Sequence, residues 1–269
     1  MSDHVRHHSI PQATRDLVSM RYRTITRAVN RGLWDSSSET LHSLYVGSYG
    51  RGTAVDTSDI DVLVEVPESY YVVSHPFSTY NPQSRLLQVV KDAILASYPR
   101  SKVKGDGQVV VVDFSDGMKF EVLPAIKRAD AWGGVRYEYP DTHMGGNWLS
   151  TNPKAEQRAL AEVDRSSNGL AKDTCKHIRS VRDTCFSSYH LSGIVIDSFV
   201  CKVIGGWHCL SEGEAPSGGS SYEQMLLNAF NSMSAYGGYA FRLEAPGSGM
   251  AVDVSNSLEC LGKVLKRMA

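Results

Sequence analysis

Between Tyr45 and Val64 the chain reads Tyr-Val-Gly-Ser-Tyr-Gly-Arg-Gly-Thr-Ala-Val-Asp-Thr-Ser-Asp-Ile-Asp-Val-Leu-Val, and this stretch restricts the fold more than any other. Gly47-Ser48 opens a glycine-rich turn, and ten residues separate it from Asp59-Ile60-Asp61. The run Val62-Leu63-Val64 that follows is short, apolar and β-branched, which predicts a buried strand. Residues two apart on a strand point to the same face, so Asp59 and Asp61 stand side by side. Two adjacent carboxylates repel, and gathering them is costly unless a cation neutralises them. Hard oxygen ligands of this kind suit Mg²⁺ when it also holds substrate phosphates, and a glycine turn can bring backbone N–H groups against a phosphate. The order and spacing imply metal-assisted chemistry on a nucleoside triphosphate.

The rest of the chain supplies an α/β frame for that stretch. Ala13, Leu17, Val18, Tyr22, Ile25 and Val29 recur at helical spacing, predicting an amphipathic helix over 12–30 that continues or restarts toward Leu44. A strand, a turn and a strand follow from Tyr45 to Pro67, then a helix from Ser84 to Tyr98. Gln108–Phe114 and Met118–Leu123 flank Ser115-Asp116-Gly117, a hairpin signal. Residues 130–150, rich in Gly, Tyr and Trp without periodicity, read as a long surface loop. Pro153 sits at the start of a helical region, which continues through Ala171–Asp183, Leu191–Val203 and Glu223–Ser232. The expected division is a catalytic core with its N-terminal helix over 1–150, and a mainly helical domain over 151–269 closing the nucleotide cleft.

Gly47-Ser48, the ten-residue interval and Asp59-x-Asp61 resemble the signature of the DNA polymerase β-like nucleotidyltransferase superfamily. Within it, Arg51-Gly52-Thr53-Ala54 and Ser58-Asp59-Ile60-Asp61 resemble the CD-NTases, the bacterial relatives of cyclic GMP–AMP synthase. Phe120-Glu121-Val122-Leu123-Pro124-Ala125 is similar to that family's third-carboxylate strand, and Ser187-Ser188-Tyr189-His190-Leu191 to its serine-tyrosine motif. The resemblance implies a polymerase β-like core, a mixed sheet with helices, followed by a helical C-terminal half. It also implies two ions of Mg²⁺ or Mn²⁺, held by Asp59, Asp61 and a third carboxylate.

For that third ligand the strand Met118–Leu123 offers Glu121. Alternation puts Lys119, Glu121 and Leu123 on the face opposite Met118, Phe120 and Val122, and Leu123-Pro124 fixes Glu121 in the family's strand motif. Asp113 and Asp116 are the competitors: Asp116 suits the turn itself, and Asp113 lies further along the neighbouring strand. The family more often carries aspartate where Glu121 stands.

The resemblance further assigns Gly47, Ser48, Arg51, Arg179, Ser188 and Tyr189 to nucleotide binding, with Ser188 on a donor phosphate and Tyr189 stacked on the base. Two departures bear on this. The family usually has lysine at Arg179, and tryptophan shortly after it, where this chain has Val181. Lys176, Arg179 and Arg182 recur every three residues, which equally describes a solvated basic helix face.

Composition narrows the alternatives. The chain has 269 residues, 42% of them apolar, and a net charge of −1, so no global field favours nucleic acid or a membrane. No apolar run approaches membrane-spanning length, and the N-terminus has no signal-peptide core, so a cytoplasmic location is expected. Five cysteines without C-x-x-C spacing suggest reduced thiols. Nothing resembles the zinc insertion of the animal DNA sensor.

The expected activity is a metal-dependent nucleotidyltransferase that joins nucleoside triphosphates into a cyclic or short linear oligonucleotide messenger, releasing pyrophosphate. The family implies a role in antiphage signalling, with regulatory or effector protein partners. Two other readings stand beside it: transfer of one nucleotide to an aminoglycoside, protein or tRNA end, and a catalytically silent nucleotide-binding module.

Overall fold

The computed structural model describes residues 10–55, 59–72, 81–129, 134–143, 146–214, 219–235 and 241–269. They fall into two compact units. Of these residues, one unit takes those within 11–50 and 59–152, and the other takes residue 10 and those within 51–55 and 153–269.

The first unit contains α1 (Gln12–Leu33), β1 (Ser43–Tyr45), most of the short α2 (Gly47–Arg51), β2 (Ile60–Glu65), α3 (Ser69–Val72) and α4 (Pro82–Leu95). These are followed by β3 (Lys102–Asp106), β4 (Val109–Asp113), β5 (Lys119–Ala129), β6 (Val135–Asp141) and β7 (Asn147–Thr151). The sheet is mixed. Its order is β1-β2-β5-β4-β3, with β6 on the far half of β5 and β7 beyond it. β2 and β5 run parallel, and the other pairs are antiparallel.

Alternation along β2 and β5 decides which face becomes core. Ile60, Val62 and Val64, with Phe120, Val122 and Ile126, are nearly free of solvent. They pack beneath Val18, Tyr22, Ile25 and Val29 of α1 and Leu86, Leu87, Val90 and Ile94 of α4. The helical spacing of those residues gives each helix one apolar stripe, and each large side chain so buried contributes about 1.5–3 kcal/mol. α4 starts sharply because Pro82 takes its first position and the Asn81 side chain accepts from Gln83 N (2.9 Å) and Ser84 N (3.3 Å). The opposite sheet face carries Asp61 and Glu121 at one end, and Leu63, Leu123, Ala125 and Tyr137 along its apolar part.

The second unit is mainly helical: α5 (Pro153–Ser166), α6 (Leu170–Cys185), α7 (Gly193–Val203), α8 (Tyr222–Ser234), the small hairpin β8 (Leu243–Glu244) and β9 (Ala251–Val252), and α9 (Leu258–Met268). Its core joins Ile178, Val195, Phe199, Leu226, Phe241 and Leu261. Phe199 stacks on Phe241 with ring centroids 6.4 Å apart. Among the described residues no helix is long and apolar enough to cross a membrane.

Several elements differ from the sequence expectation. The first helix stops at Leu33 and does not resume before β1, because Trp34 and His42 stack on each other and the Trp34 indole donates to Glu65 O. The glycine turn is one turn of helix, α2. Much of 130–150 is the strand pair β6–β7, which the distal half of β5 templates by pairing. α3, β3, β8, β9 and α9 are additional to the elements expected from the sequence.

Candidate functional site

The acidic face is set by register. The parallel pairing of β2 with β5 places Asp61 opposite Glu121, and the step before it, Ile60 opposite Phe120, carries Asp59 to the level of Lys119. Antiparallel pairing of β4 with β5 brings Asp113 opposite Lys119. The alternation that buries Ile60, Val62, Phe120 and Val122 therefore gathers Asp59, Asp61 and Glu121 on the other side.

Gly47 fits Asp61 closely. It has φ of +57°, and a Cβ built there would lie 1.9 Å from Asp61 Oδ2. Only glycine allows both the left-handed backbone and this approach. Val46 N donates to Asp61 O at 2.9 Å, so the turn and the strand end are tied by backbone as well. Gly47→Ala is expected to displace the Asp61 carboxylate and to cost at least ~1–2 kcal/mol for the left-handed conformation alone. Urea unfolding of the purified variant measures that loss.

Lys119 is a site residue that sequence reasoning did not assign. Its Nζ lies 2.9 Å from Asp59 Oδ2 and 2.8 Å from Glu121 Oε1. The hydrogen bond to Glu121, opposed by partial burial and reinforced by Asp59, holds its pKa well above the ordinary lysine value. The signal for it was present, since Lys119 precedes Glu121 by two residues on one strand. Of the competing carboxylates, Asp116 accepts two hydrogen bonds from Arg21, at 3.0 and 2.9 Å. Asp113 lies 3.9 Å from Lys102 Nζ.

Among the described residues, no group of three or more His, Cys, Asp or Glu side chains is already gathered as a metal cage. The donors present nevertheless fit a hard divalent ion. They are carboxylate oxygens, Asp61 and Glu121 occupy paired register positions, and Asp59 and Glu121 already converge on one cation.

Within the helical unit, Arg51 and Arg179, which the resemblance assigns to nucleotide binding, meet in one buried cluster. Both are buried on Asp197, which is fully enclosed. Arg51 Nε donates to Asp197 Oδ2 (2.7 Å) and Nη1 to Glu156 Oε2 (3.0 Å), while Arg179 Nη1 donates to Asp197 Oδ1 (2.7 Å). Thr53 Oγ1 adds a bond to Asp197 Oδ2 at 3.1 Å, and Arg179 Nη2 one to Gly193 O at 2.9 Å. Burial would raise the Asp197 pKa, but the Arg179 and Arg51 guanidiniums outweigh it and hold the carboxyl down at about 2. Burial raises Glu156, against the pull of Arg51. A lone Asp in the apolar run Gly-Ile-Val-Ile-Asp-Ser-Phe-Val was the sequence signal for this cluster, because a buried charge demands partners. Arg182 is likewise engaged, with Asp183 and Leu191 O.

Ser188 and Tyr189 lie in the exposed turn between α6 and α7. The Tyr189 ring is 37% exposed, meets Phe186 edge-on, and has Lys263 Nζ 4.9 Å from its centroid.

Comparison with known proteins bears on the family and the fold. A family profile described as the Second Messenger Oligonucleotide or Dinucleotide Synthetase domain (SMODS) matches residues 4–164. Among curated proteins, none matches significantly. Among solved structures, the cyclic dinucleotide synthase CdnE of Elizabethkingia meningoseptica, solved with GTP and Apcpp, superposes with a TM-score of 0.63 at 15% identity, over 94% of this chain and 89% of that one. The CD-NTase CdnG of Bradyrhizobium diazoefficiens, in complex with GTP, gives 0.65 at 13% identity, over 98% and 85%. CdnC of E. coli MS115-1, in complex with a HORMA protein, gives 0.55 at 16% identity, over 85% and 68%.

Proposed function

This chain belongs to the Second Messenger Oligonucleotide or Dinucleotide Synthetase family of CD-NTase nucleotidyltransferases, and from that premise we propose that it joins nucleoside triphosphates into a cyclic or short linear oligonucleotide, releasing pyrophosphate. The observation that carries this reading is the single sheet face bearing Asp59, Asp61 and Glu121, with Gly47 against Asp61. The CdnE likeness supports the substrate class, since that protein is a cyclic dinucleotide synthase solved with GTP.

Asp59, Asp61 and Glu121 would hold Mg²⁺ or Mn²⁺. Such ions, when bound, activate the attacking hydroxyl and neutralise the phosphates in an in-line displacement. The protein's own part is positioning. Gly47 leaves room for the Asp61 carboxylate. Ser48, next in the turn, is the proposed contact to the terminal phosphates. The strand pairing sets the backbone positions from which Asp61 and Glu121 project. Ser188 and Tyr189 are the proposed donor contacts, the exposed phenol ring offering a face to a base. Arg51 and Arg179, which the resemblance assigns to nucleotide binding, both donate to Asp197 in this structure. The biological role proposed is that of the family, an antiphage signal read by an effector protein. The HORMA-bound CdnC supports a regulatory protein partner.

The test is incubation with all four labelled triphosphates and Mn²⁺ or Mg²⁺, followed by mass analysis of whatever resists phosphatase. A phosphatase-resistant oligonucleotide formed without template or acceptor is the expected result. Label transferred only when an aminoglycoside, a protein or tRNA is supplied would overturn it in favour of single-nucleotide transfer.

A further inference from the structure

We propose that Lys119 is the built-in counter-ion of the carboxylate face: its ammonium holds Asp59 and Glu121 together in the metal-free protein and must leave when a divalent ion binds. The inference rests on the metal-site reading above and adds to it the way in which metal affinity is set.

Three carboxylates brought onto one face by register repel one another, and strand pairing alone does not relieve that repulsion. A cation has to lie among them. β5 is flanked by β2 and β4, so Lys119 has an acidic neighbour on either side, Asp59 and Asp113. Its Nζ makes its two contacts with Asp59 and Glu121, the proposed metal ligands, while Asp113 lies toward Lys102. At 2.8–2.9 Å the ammonium occupies the oxygens that a metal would need. A Mg²⁺ bound to those oxygens at about 2.0–2.1 Å would face the ammonium at close range, and both cannot stay.

Lys119 is suited to leaving. Its side chain is about a third exposed, and its long stem can swing the ammonium into solvent. Metal binding then becomes an exchange of one cation for another. The free protein keeps an ordered acidic face without metal, at the cost of weaker metal binding.

The experiment measures Mn²⁺ binding without nucleotide, by calorimetry and by the paramagnetic resonance signal of free Mn²⁺, in wild type, Lys119→Met, Lys119→Gln and Lys119→Arg. Removing the charge is expected to tighten Mn²⁺ about 10-fold, the scale of a charge competition in a partly buried site. Lys119→Arg should stay close to wild type. Mn²⁺ should also raise the melting temperature of the Met and Gln variants by more than that of wild type, which keeps the test decisive if they are destabilised as apo-proteins. Unchanged or weaker Mn²⁺ binding in folded Lys119→Met and Lys119→Gln would overturn the proposal. Glu121→Gln separates the two levels. If it loses Mn²⁺ while the Lys119 variants match wild type, only the counter-ion role falls. If no form binds Mn²⁺, the metal-site reading falls with it.

Discussion

Asp61→Asn is expected to reduce product formation in the triphosphate assay at least ~100-fold, about 3 kcal/mol of activation barrier, with the protein still folded. The amide keeps the size and shape of the carboxylate, so the tight fit against Gly47 is preserved. The core face of β2 lies on the other side of the strand and is untouched. What is lost is one anionic oxygen ligand at the point where phosphate and metal charge must be balanced. Asp59→Asn should behave alike, with a further consequence: Lys119 keeps Glu121 but loses one of its two anionic partners. Steady-state rates, with circular dichroism as the folding control, check both. Near-normal turnover in either folded variant would remove the carboxylate pair from the chemistry.

Asp197→Ala is expected to destabilise the helical unit by about 3–5 kcal/mol, the scale for breaking a buried ion pair from one side. The cluster balances two guanidiniums, Arg51 and Arg179, against Asp197 and Glu156. Deleting Asp197 takes from Arg179 its carboxylate partner in an interior where its side chain is 2% exposed, and takes one carboxylate from Arg51, which keeps its bond to Glu156. Urea unfolding reads the loss directly. The pH dependence has a definite sign. The folded pKa of Asp197, about 2, lies below the ordinary aspartate value of ~3.9. Its contribution is therefore complete above ~pH 4 and is lost as pH falls toward 2. Glu156 is raised by burial, so its own term runs the other way: it favours the fold in acid and is lost as pH rises through its folded value. The part of the stability difference between wild type and Asp197→Ala that Asp197 supplies should accordingly narrow below ~pH 4.

The parts of this protein legible in its sequence share one property, a short repeat that the local backbone turns directly into a face. Alternation from Asp59 to Val64 and from Lys119 to Leu123 separated core from acidic side, and the pairing of β2 with β5 brought the two segments together as alternation required. The helical stripes of α1 and α4 became the cover of the opposite face for the same reason. β6 and β7 lacked such a repeat. Their strand character comes from pairing with the distal half of β5 and with each other, so a segment rich in Gly and Tyr looked like loop. α9 does carry such a repeat, Cys260, Leu261, Val264 and Leu265, which are buried along one stripe of the helix.

The sequence by itself determined which carboxylates share a strand face, because that follows from backbone geometry within a few residues; that glycine must stand at position 47 was decided by the close approach of Asp61. Only the tertiary structure decided where the cations go. The sequence shows Arg51 and Arg179 as cations; that Asp197, 146 residues beyond Arg51, is a partner of both is a product of the fold. Lys119 read as an ordinary strand residue until β2 set Asp59 beside it. Long cationic side chains reach in many directions, and the carboxylate each one pairs with is chosen by which distant segments pack together.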